Sequence, residues 1–142
     1  MTRPLARFIE ALPLYGAVAL GSALGGGARA GLGAALDVLA GGPHLATLVA
    51  NVTGSFLIGY FATLSGPDGR LFVGPRLRHF VMTGVCGGYT SFSVFSLEAV
   101  RALHGRGPAA AAAFAVFSLF SWLLAVWLGH SLAARRNRLK GG

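Results

Sequence analysis

The sequence is poor in charged residues, and the few that it has are mostly basic. Only 11% of its 142 residues are Asp, Glu, Lys or Arg, against about 25% in a typical soluble domain. The four acidic residues are scattered, so the carboxylate pair used in acid–base catalysis is absent. No nucleophile-elbow, zinc-protease or phosphate-loop motif is present either. These deficits argue against an enzyme and against an ordinary water-soluble protein.

Cysteine is also nearly absent. Cys86 is the single cysteine, so neither an internal disulfide nor a thiolate metal cluster can form. The 12 Lys and Arg residues outnumber the four acidic ones, which gives a formal net charge of +8. In a soluble protein this excess would suggest nucleic acid as a partner. Here the basic residues flank apolar segments, which indicates membrane orientation and no nucleic-acid partner.

Long apolar segments are what the chain has in abundance. A bilayer core of roughly 30 Å is crossed by about 20 apolar residues in a helix. Four segments reach that length, and we predict membrane spans over residues 11–36, 45–66, 77–100 and 108–134. Short connections containing Gly and Pro separate them. We therefore expect residues 1–142 to form one all-α, four-span membrane domain in contact with the lipid bilayer.

The distribution of Lys and Arg predicts how the spans are oriented. In a four-span bundle both termini and the second connection share one side, and here that side carries nine basic residues: Arg3, Arg7, Arg70, Arg76, Arg78, Arg135, Arg136, Arg138 and Lys140. The opposite side carries two, Arg101 and Arg106. Because cytoplasmic segments retain Lys and Arg, we expect both termini in the cytoplasm, with the spans in the cell (inner or plasma) membrane.

Several polar residues lie within the predicted spans, where lipid would not tolerate them unaided. Arg29 in the first span either snorkels or pairs structurally, or it attracts anions at a vestibule. Asn51 in the second span either bonds a neighbouring helix or donates to a permeating anion. In the fourth span, Ser118 and Ser121 share a face and either bond their own backbone or form a polar track.

The third span carries the most informative segment, which runs Gly-Gly-Tyr-Thr-Ser-Phe-Ser-Val-Phe over residues 87–95. Adjacent glycines followed by Thr and Ser favour a broken helix, which frees backbone carbonyls. Broken membrane helices use such carbonyls to bind cations such as sodium. Phe92 and Phe95 share a helical face, and their rings either pack within the protein or present electropositive edges to an anion. In the first span, the spacing of Gly21 and Gly25 predicts close helix contact.

The segment from Gly87 to Glu98 closely resembles the signature of the Fluc (CrcB) fluoride-channel family. Two other segments are similar to that family: residues 47–56, which contain Asn51, and the glycine-rich stretch from Gly21 to Arg29. The resemblance implies a passive, fluoride-selective channel that relieves cytoplasmic fluoride toxicity. It also implies an antiparallel, dual-topology dimer with two pores formed by both chains.

The same resemblance implies roles for individual residues. The backbone carbonyls of Gly87 and Thr90 would bind a structural sodium ion (Na⁺), not transported, at the dimer centre. The fluoride pore and its vestibule would be lined by Asn51, Phe92, Phe95, Ser118 and Arg29. The chain departs from the family pattern at Val94, where threonine is usual, and at Ala30, where an aromatic residue is common.

Two other assignments account for parts of the sequence. A small multidrug-type exporter also has four spans, but it needs a membrane carboxylate for proton exchange, and Glu10 and Glu98 lie at predicted span ends. A non-transporting scaffold would explain the glycines but not a broken third span.

The charge bias leaves two dimer partners open, a second copy of this chain or an oppositely oriented paralogue. Dual-topology proteins usually carry similar numbers of Lys and Arg in the connections on the two sides, whereas this chain does not.

Overall fold

The computed structural model describes the backbone of residues 3–40 and 43–138 and the side chains of residues 9–38 and 45–138. Arg3, Arg7 and Lys140, three of the basic residues that predict orientation, lie outside the described side chains. The regular structure in this part of the chain is helical: α1 (Arg3–Ala40), α2 (Pro43–Leu64), α3 (Pro75–His79), a π-helical segment (Phe80–Cys86), α4 (Gly87–Tyr89), α5 (Phe92–Arg106) and α6 (Pro108–Arg138).

Four helical stretches are long and apolar enough to cross a membrane: Ile9–Val38, Leu45–Leu64, Pro75–Arg106 and Pro108–Arg138. They confirm the all-α, four-span architecture, and the chain is a multi-pass membrane protein. The third stretch contains α3, the π-helical segment, α4 and α5 in succession. The second helix ends at Leu64 and not at 66 because Ser65 and Gly66 enter a turn.

Glycine brings α1 close to the first half of the third span. A Cβ atom on Gly21 would lie 2.9 Å from the Cα of Gly84, and one on Gly25 would clash with the carbonyl oxygen of Val85. On the facing helix, a Cβ on Gly88 would lie 2.8 Å from the Cα of Ser22. Each helix thus presents a pair of glycines at four-residue spacing, which allows the two backbones to approach. The predicted contact through Gly21 and Gly25 is confirmed.

Small residues also bring α2 and α6 together. A Cβ atom on Gly59 would lie 2.9 Å from Cγ2 of Val126, and one on Gly129 would lie 2.9 Å from the backbone nitrogen of Tyr60. This close packing fixes α6 beside α2, so that residues of the two helices face the same interior space.

The second connection and the end of α6 lie at the same end of the bundle, as the four-span topology requires. Arg70 donates from Nη1 to the Arg136 carbonyl oxygen at 3.2 Å, and its backbone nitrogen donates to Asn137 Oδ1 at 3.3 Å. At the other end, Gly107 (φ 87°) provides the positive φ that lets α5 turn into α6, which Pro108 opens.

Candidate functional site

The third membrane helix is broken between α4 and α5. Thr90 (φ −86°, ψ 158°) and Ser91 (φ −147°, ψ 113°) are extended. Ser91 is the N-cap of α5, and its Oγ accepts a hydrogen bond from the backbone nitrogen of Val94 at 3.2 Å. Serine suits this position because its hydroxyl satisfies an N–H that a new helix leaves without a partner. The predicted break is therefore confirmed.

Asn51 of α2 holds the broken backbone. Its Oδ1 accepts from Ser91 N at 2.8 Å, and its Nδ2 donates to Ser91 O at 3.2 Å. The two bonds fix the orientation of the amide, since an N–H requires the oxygen and a carbonyl requires the nitrogen. Of the two roles predicted for Asn51, the structure shows the interhelical bond. The second Nδ2 hydrogen has no hydrogen bond to the described residues.

At the break, two backbone carbonyls lose the N–H donors that they would have in a continuous helix. Helical geometry would pair Gly87 O with Ser91 N, and Thr90 O with Val94 N. Instead, Ser91 N donates to Asn51. Val94 N donates to the Ser91 hydroxyl. The carbonyls of Gly87 and Thr90, predicted as sodium ligands, are the two that lose these donors.

A cavity of about 260 Å³ opens at the break. It brings together four of the predicted site residues, and its walls include Asn51, Gly87, Thr90, Ser91, Phe92 and Trp122. Phe92 is 67% exposed, so its ring also faces away from the rest of the subunit. Polar backbone and side-chain groups therefore concentrate at one point in an otherwise apolar span.

An aromatic file, consisting of Phe92, Phe95 and Phe114, leads away from this cavity. The ring centroids of Phe92 and Phe95 are 5.5 Å apart, as are those of Phe95 and Phe114. Phe114 lines a second cavity of about 350 Å³, whose walls also include Glu98, Arg101 and Arg106. Because α5 ends at Arg106, this second cavity lies toward the α5–α6 turn. The aromatic file connects the two cavities.

Arg29 and Ser118 lie outside the walls of both cavities. Ser118 is 1% exposed and shares a face of α6 with Phe114, one turn away. Neither Ser118 Oγ nor Arg29 Nε has a hydrogen bond within the part of the chain that the structure describes, although both atoms are buried. Ser121, by contrast, donates to the Phe117 carbonyl of its own helix at 2.7 Å.

Glu98 belongs to the site, although the sequence interpretation placed it at a span end. Its side chain is only 4% exposed, and Thr47 Oγ1 donates to its Oε1 at 2.7 Å. The carboxylate lies inside the bundle because α5 continues for about two further turns, to Arg106. Its residue type could have identified Glu98 from the sequence, since an ionisable residue within a membrane span indicates a functional position by default.

Trp122 is the second site residue that the sequence did not reveal. Its ring stands edge-on to Phe95, with centroids 4.8 Å apart and planes at 74°. Its Nε1 is buried and has no hydrogen bond to the described residues. Trp127 of the same helix is 60% exposed. Nothing in residue type separates the two tryptophans, and only the packing of α6 does.

Comparison with known proteins assigns a family to this arrangement. Residues 16–130 match the family model described as CrcB-like protein, Camphor Resistance (CrcB). The chain is 54% identical over 129 residues to Fluoride-specific ion channel FluC 1 of Rhodopseudomonas palustris, covering 90% of this chain and 92% of that protein. It is 54% identical over 127 residues to FluC 1 of Bradyrhizobium diazoefficiens, covering 89% of each. It is 48% identical over 131 residues to FluC of Opitutus terrae, covering 92% and 99%.

Proposed function

The chain belongs to the CrcB family, and on that premise we propose that it forms a fluoride-selective channel through which fluoride leaves the cytoplasm passively. Such a channel relieves fluoride toxicity. The protein is therefore an ion channel and not an enzyme. Two findings support the proposal. Its relatives are named fluoride-specific ion channels, and its four-span fold gathers polar groups at a broken helix inside the membrane.

The observation that carries the proposal is the aromatic file between two cavities. Ring edges are electropositive, so Phe92, Phe95 and Phe114 offer an anion a succession of weak contacts between the cavities. The second cavity bears Arg101 and Arg106, whose charges attract anions to that end. Weak contacts at several sites suit a channel, because an ion must be able to leave each site.

Fluoride is small and strongly hydrated, so its pore must replace water with convergent donors. The second Nδ2 hydrogen of Asn51 is one such donor in the cavity at the break. The hydroxyl pair of Ser91 and Ser93, with oxygens 3.2 Å apart, is another source. Because Asn51 is fixed by its bonds to Ser91, its remaining donor hydrogen keeps a constant position in the cavity.

Arg29 and Ser118 extend this path in the proposal. Arg29 draws fluoride toward the vestibule, and Ser118 contributes a hydroxyl from α6. The support is that each carries a buried polar atom without a hydrogen bond in the described structure. Such an atom costs free energy unless water, an ion or a partner satisfies it.

We also propose that a structural sodium ion binds at the break through the carbonyl oxygens of Gly87 and Thr90. These residues fit the ion, because both carbonyls lose their helical donors and hard cations prefer oxygen ligands. The lipid core cannot satisfy a free carbonyl, so an ion or another protein chain is needed there. When bound, the cation would supply positive charge beside the fluoride path.

A second, antiparallel subunit would complete the site. Gly87 and the ring of Phe92 are exposed in the single chain, beside the carbonyls proposed to bind sodium. A two-fold axis through this face would bring two sets of carbonyls together. We favour a homodimer as the simpler assembly, and the charge bias makes an oppositely oriented paralogue the alternative. A reporter fused to the C-terminus distinguishes them, since a homodimer requires roughly equal populations facing both ways.

The decisive experiment is fluoride efflux from liposomes that contain the purified protein, recorded with a fluoride electrode. Rapid fluoride release with little chloride release from matched vesicles is the expected result. If neither the protein alone nor the protein reconstituted with a co-expressed paralogue releases fluoride, the channel assignment is wrong.

A multidrug-type exporter needs a membrane carboxylate, and Glu98 is a buried carboxylate. This alternative function can be tested in the same vesicles. An exporter would accumulate a cationic dye when a proton gradient is applied, and Glu98→Gln would abolish that accumulation. A fluoride channel accumulates no dye, and its fluoride release needs no proton gradient.

A further inference from the structure

The side of α6 that faces the third span carries two buried hydrogen-bond donors without acceptors. Ser118 Oγ and Trp122 Nε1 lie one helical turn apart, and neither forms a hydrogen bond to any residue that the structure describes. A serine hydroxyl can also accept, and it can rotate toward its own backbone. The indole N–H can do neither, because it is a donor only and moves with a rigid ring. Trp122 therefore needs an acceptor from outside the described residues.

The position of Trp122 limits what that acceptor can be. The side chain lines the cavity at the break together with Asn51, Thr90 and Phe92. Its ring is held edge-on against Phe95, the central ring of the aromatic file. The indole thus stands where the cavity meets the aromatic file, within an apolar span. The groups that can satisfy a donor at this point are an acceptor of the second subunit, a water molecule, or a small, desolvated anion that enters from the cavity.

The composition of α6 shows why an indole matters there. In the described part of α6, hydroxyl groups occur at Ser118, Ser121 and Ser131. Ser121 is committed to the Phe117 carbonyl, and Ser131 is about two and a half turns beyond Trp122. A fluoride ion that leaves Asn51 for the aromatic file would meet few hydroxyl donors on this helix. The indole N–H supplies a neutral donor in that interval.

We propose that the indole N–H of Trp122, which is covered at the wall of the cavity, donates directly to fluoride as the ion passes from the cavity at the break into the aromatic file, and is a selectivity-determining ligand of this channel. The inference rests on the proposed channel function and adds a ligand to its path. A neutral N–H donor favours fluoride over chloride, because fluoride is the stronger hydrogen-bond acceptor. The edge-on contact with Phe95 holds the indole ring at the start of the aromatic file.

The first test compares Trp122→Phe with Trp127→Phe in the fluoride-efflux assay. Both variants lose one indole N–H and keep an aromatic ring, but Trp127 is 60% exposed and lines neither the cavity at the break nor the cavity beside Glu98. We expect Trp122→Phe to lower fluoride release about tenfold, the rate equivalent of losing one hydrogen bond in the path. Trp127→Phe should release fluoride as fast as the wild type.

The second test detects the contact itself and does not alter Trp122. The chain has two tryptophans, so Trp127→Phe leaves Trp122 as the sole source of an indole N–H resonance. Titration of the ¹⁵N-labelled variant in detergent with sodium fluoride should shift that resonance downfield, and sodium chloride at equal ionic strength should not. The reciprocal variant, Trp122→Phe, reports on Trp127 and should show no shift with either salt.

The outcomes separate this inference from the channel function itself. If the wild type releases fluoride and Trp122→Phe releases it equally fast, the channel stands and the ligand role of Trp122 is wrong. A Trp122 resonance that responds equally to both salts, or to neither, overturns it as well. If the wild type releases no fluoride, either alone or with a co-expressed paralogue, the channel proposal fails first. If the Trp122→Phe protein does not fold, the titration of Trp127→Phe still tests whether fluoride contacts the Trp122 indole.

Discussion

The side-chain amide of Asn51 takes over the bonding that a helical turn would otherwise provide for Ser91. Its oxygen accepts from Ser91 N at 2.8 Å, and its nitrogen donates to Ser91 O at 3.2 Å. Both backbone groups of Ser91 are therefore satisfied within the membrane, although the helix is broken there. The same arrangement redirects the donor of the Gly87 carbonyl. One side chain of α2 thus stabilises the break and takes the helical donor away from the Gly87 carbonyl, which we propose as a sodium ligand.

Replacing Asn51 by Ala should destabilise the fold as well as block the pore. Ser91 N would lose its acceptor and Ser91 O its donor, at about 1–3 kcal/mol for each buried group left without a partner. We expect a lower Tm in detergent and loss of fluoride efflux from liposomes.

Ser96→Ala is the matched control, because the one hydrogen bond of the Ser96 hydroxyl within the described residues goes to the Phe92 carbonyl of its own helix, at 2.9 Å. That variant should keep the wild-type Tm. If Asn51→Ala unfolds at the wild-type temperature, the break is held by other contacts and the clamp is dispensable.

Gly25→Ala should separate α1 from the third span. The added Cβ would clash with the Val85 carbonyl oxygen and lie 2.8 Å from Tyr89 N, and neither backbone atom can move aside easily. Overpacking of this kind costs about 1–3 kcal/mol, so the Tm should fall. Gly27→Ala is the control, since nothing lies within 4 Å of its Cβ, and better helix propensity should leave its Tm unchanged or raised. Equal Tm values for the two variants would contradict the packing.

Phe92 and Phe95 should respond differently to substitution although both belong to the aromatic file. Phe92 is 67% exposed in the subunit, so Phe92→Ile should abolish fluoride efflux with little change in Tm. Phe95 is buried against Phe114 and Trp122, so Phe95→Ala should destabilise the protein by about 3–5 kcal/mol. If Phe92→Ile shows normal efflux, the aromatic file does not line the pore and serves only in packing.

Removal of sodium should impair the channel if the carbonyls of Gly87 and Thr90 bind that ion. Protein purified and reconstituted with a large organic cation in place of sodium should release fluoride more slowly, since neither carbonyl retains its helical donor. Restoring sodium to the same preparation should restore the rate. A rate that is unchanged throughout would show that these carbonyls are satisfied by other groups.

Local sequence was enough to predict the broken helix. The glycine pair at 87–88 weakens the helix, and the hydroxyl of Ser91 caps the next one. Both effects act within a few residues, so they can be interpreted without knowledge of the neighbouring helices. The close approach of α1 at Gly21 and Gly25 was predicted for a similar reason, since spacing along one helix fixes a shared face.

Positions that depend on contacts between helices were not predicted in the same way. The clamp joins Asn51 to Ser91 across 40 residues, and the sequence left both a structural and an anion-binding role open for Asn51. Glu98 was placed at a span end, because sequence gave no sign that α5 runs on to Arg106. Trp122 and Trp127 were indistinguishable, because α6 is apolar on all sides and its pattern does not show which face is buried.

The sequence by itself determined the four-span helical membrane fold, the break in the third span and the end of the bundle at which positive charge accumulates. These properties follow from segment length, local backbone preference and charge, all of which are additive along the chain. Tertiary structure alone decided that Asn51 clamps Ser91, that Glu98 is buried beside Thr47 and that Trp122 faces the cavity. The physical reason is that lipid is as apolar as a leucine side chain, so only packing between helices determines which residues face inward.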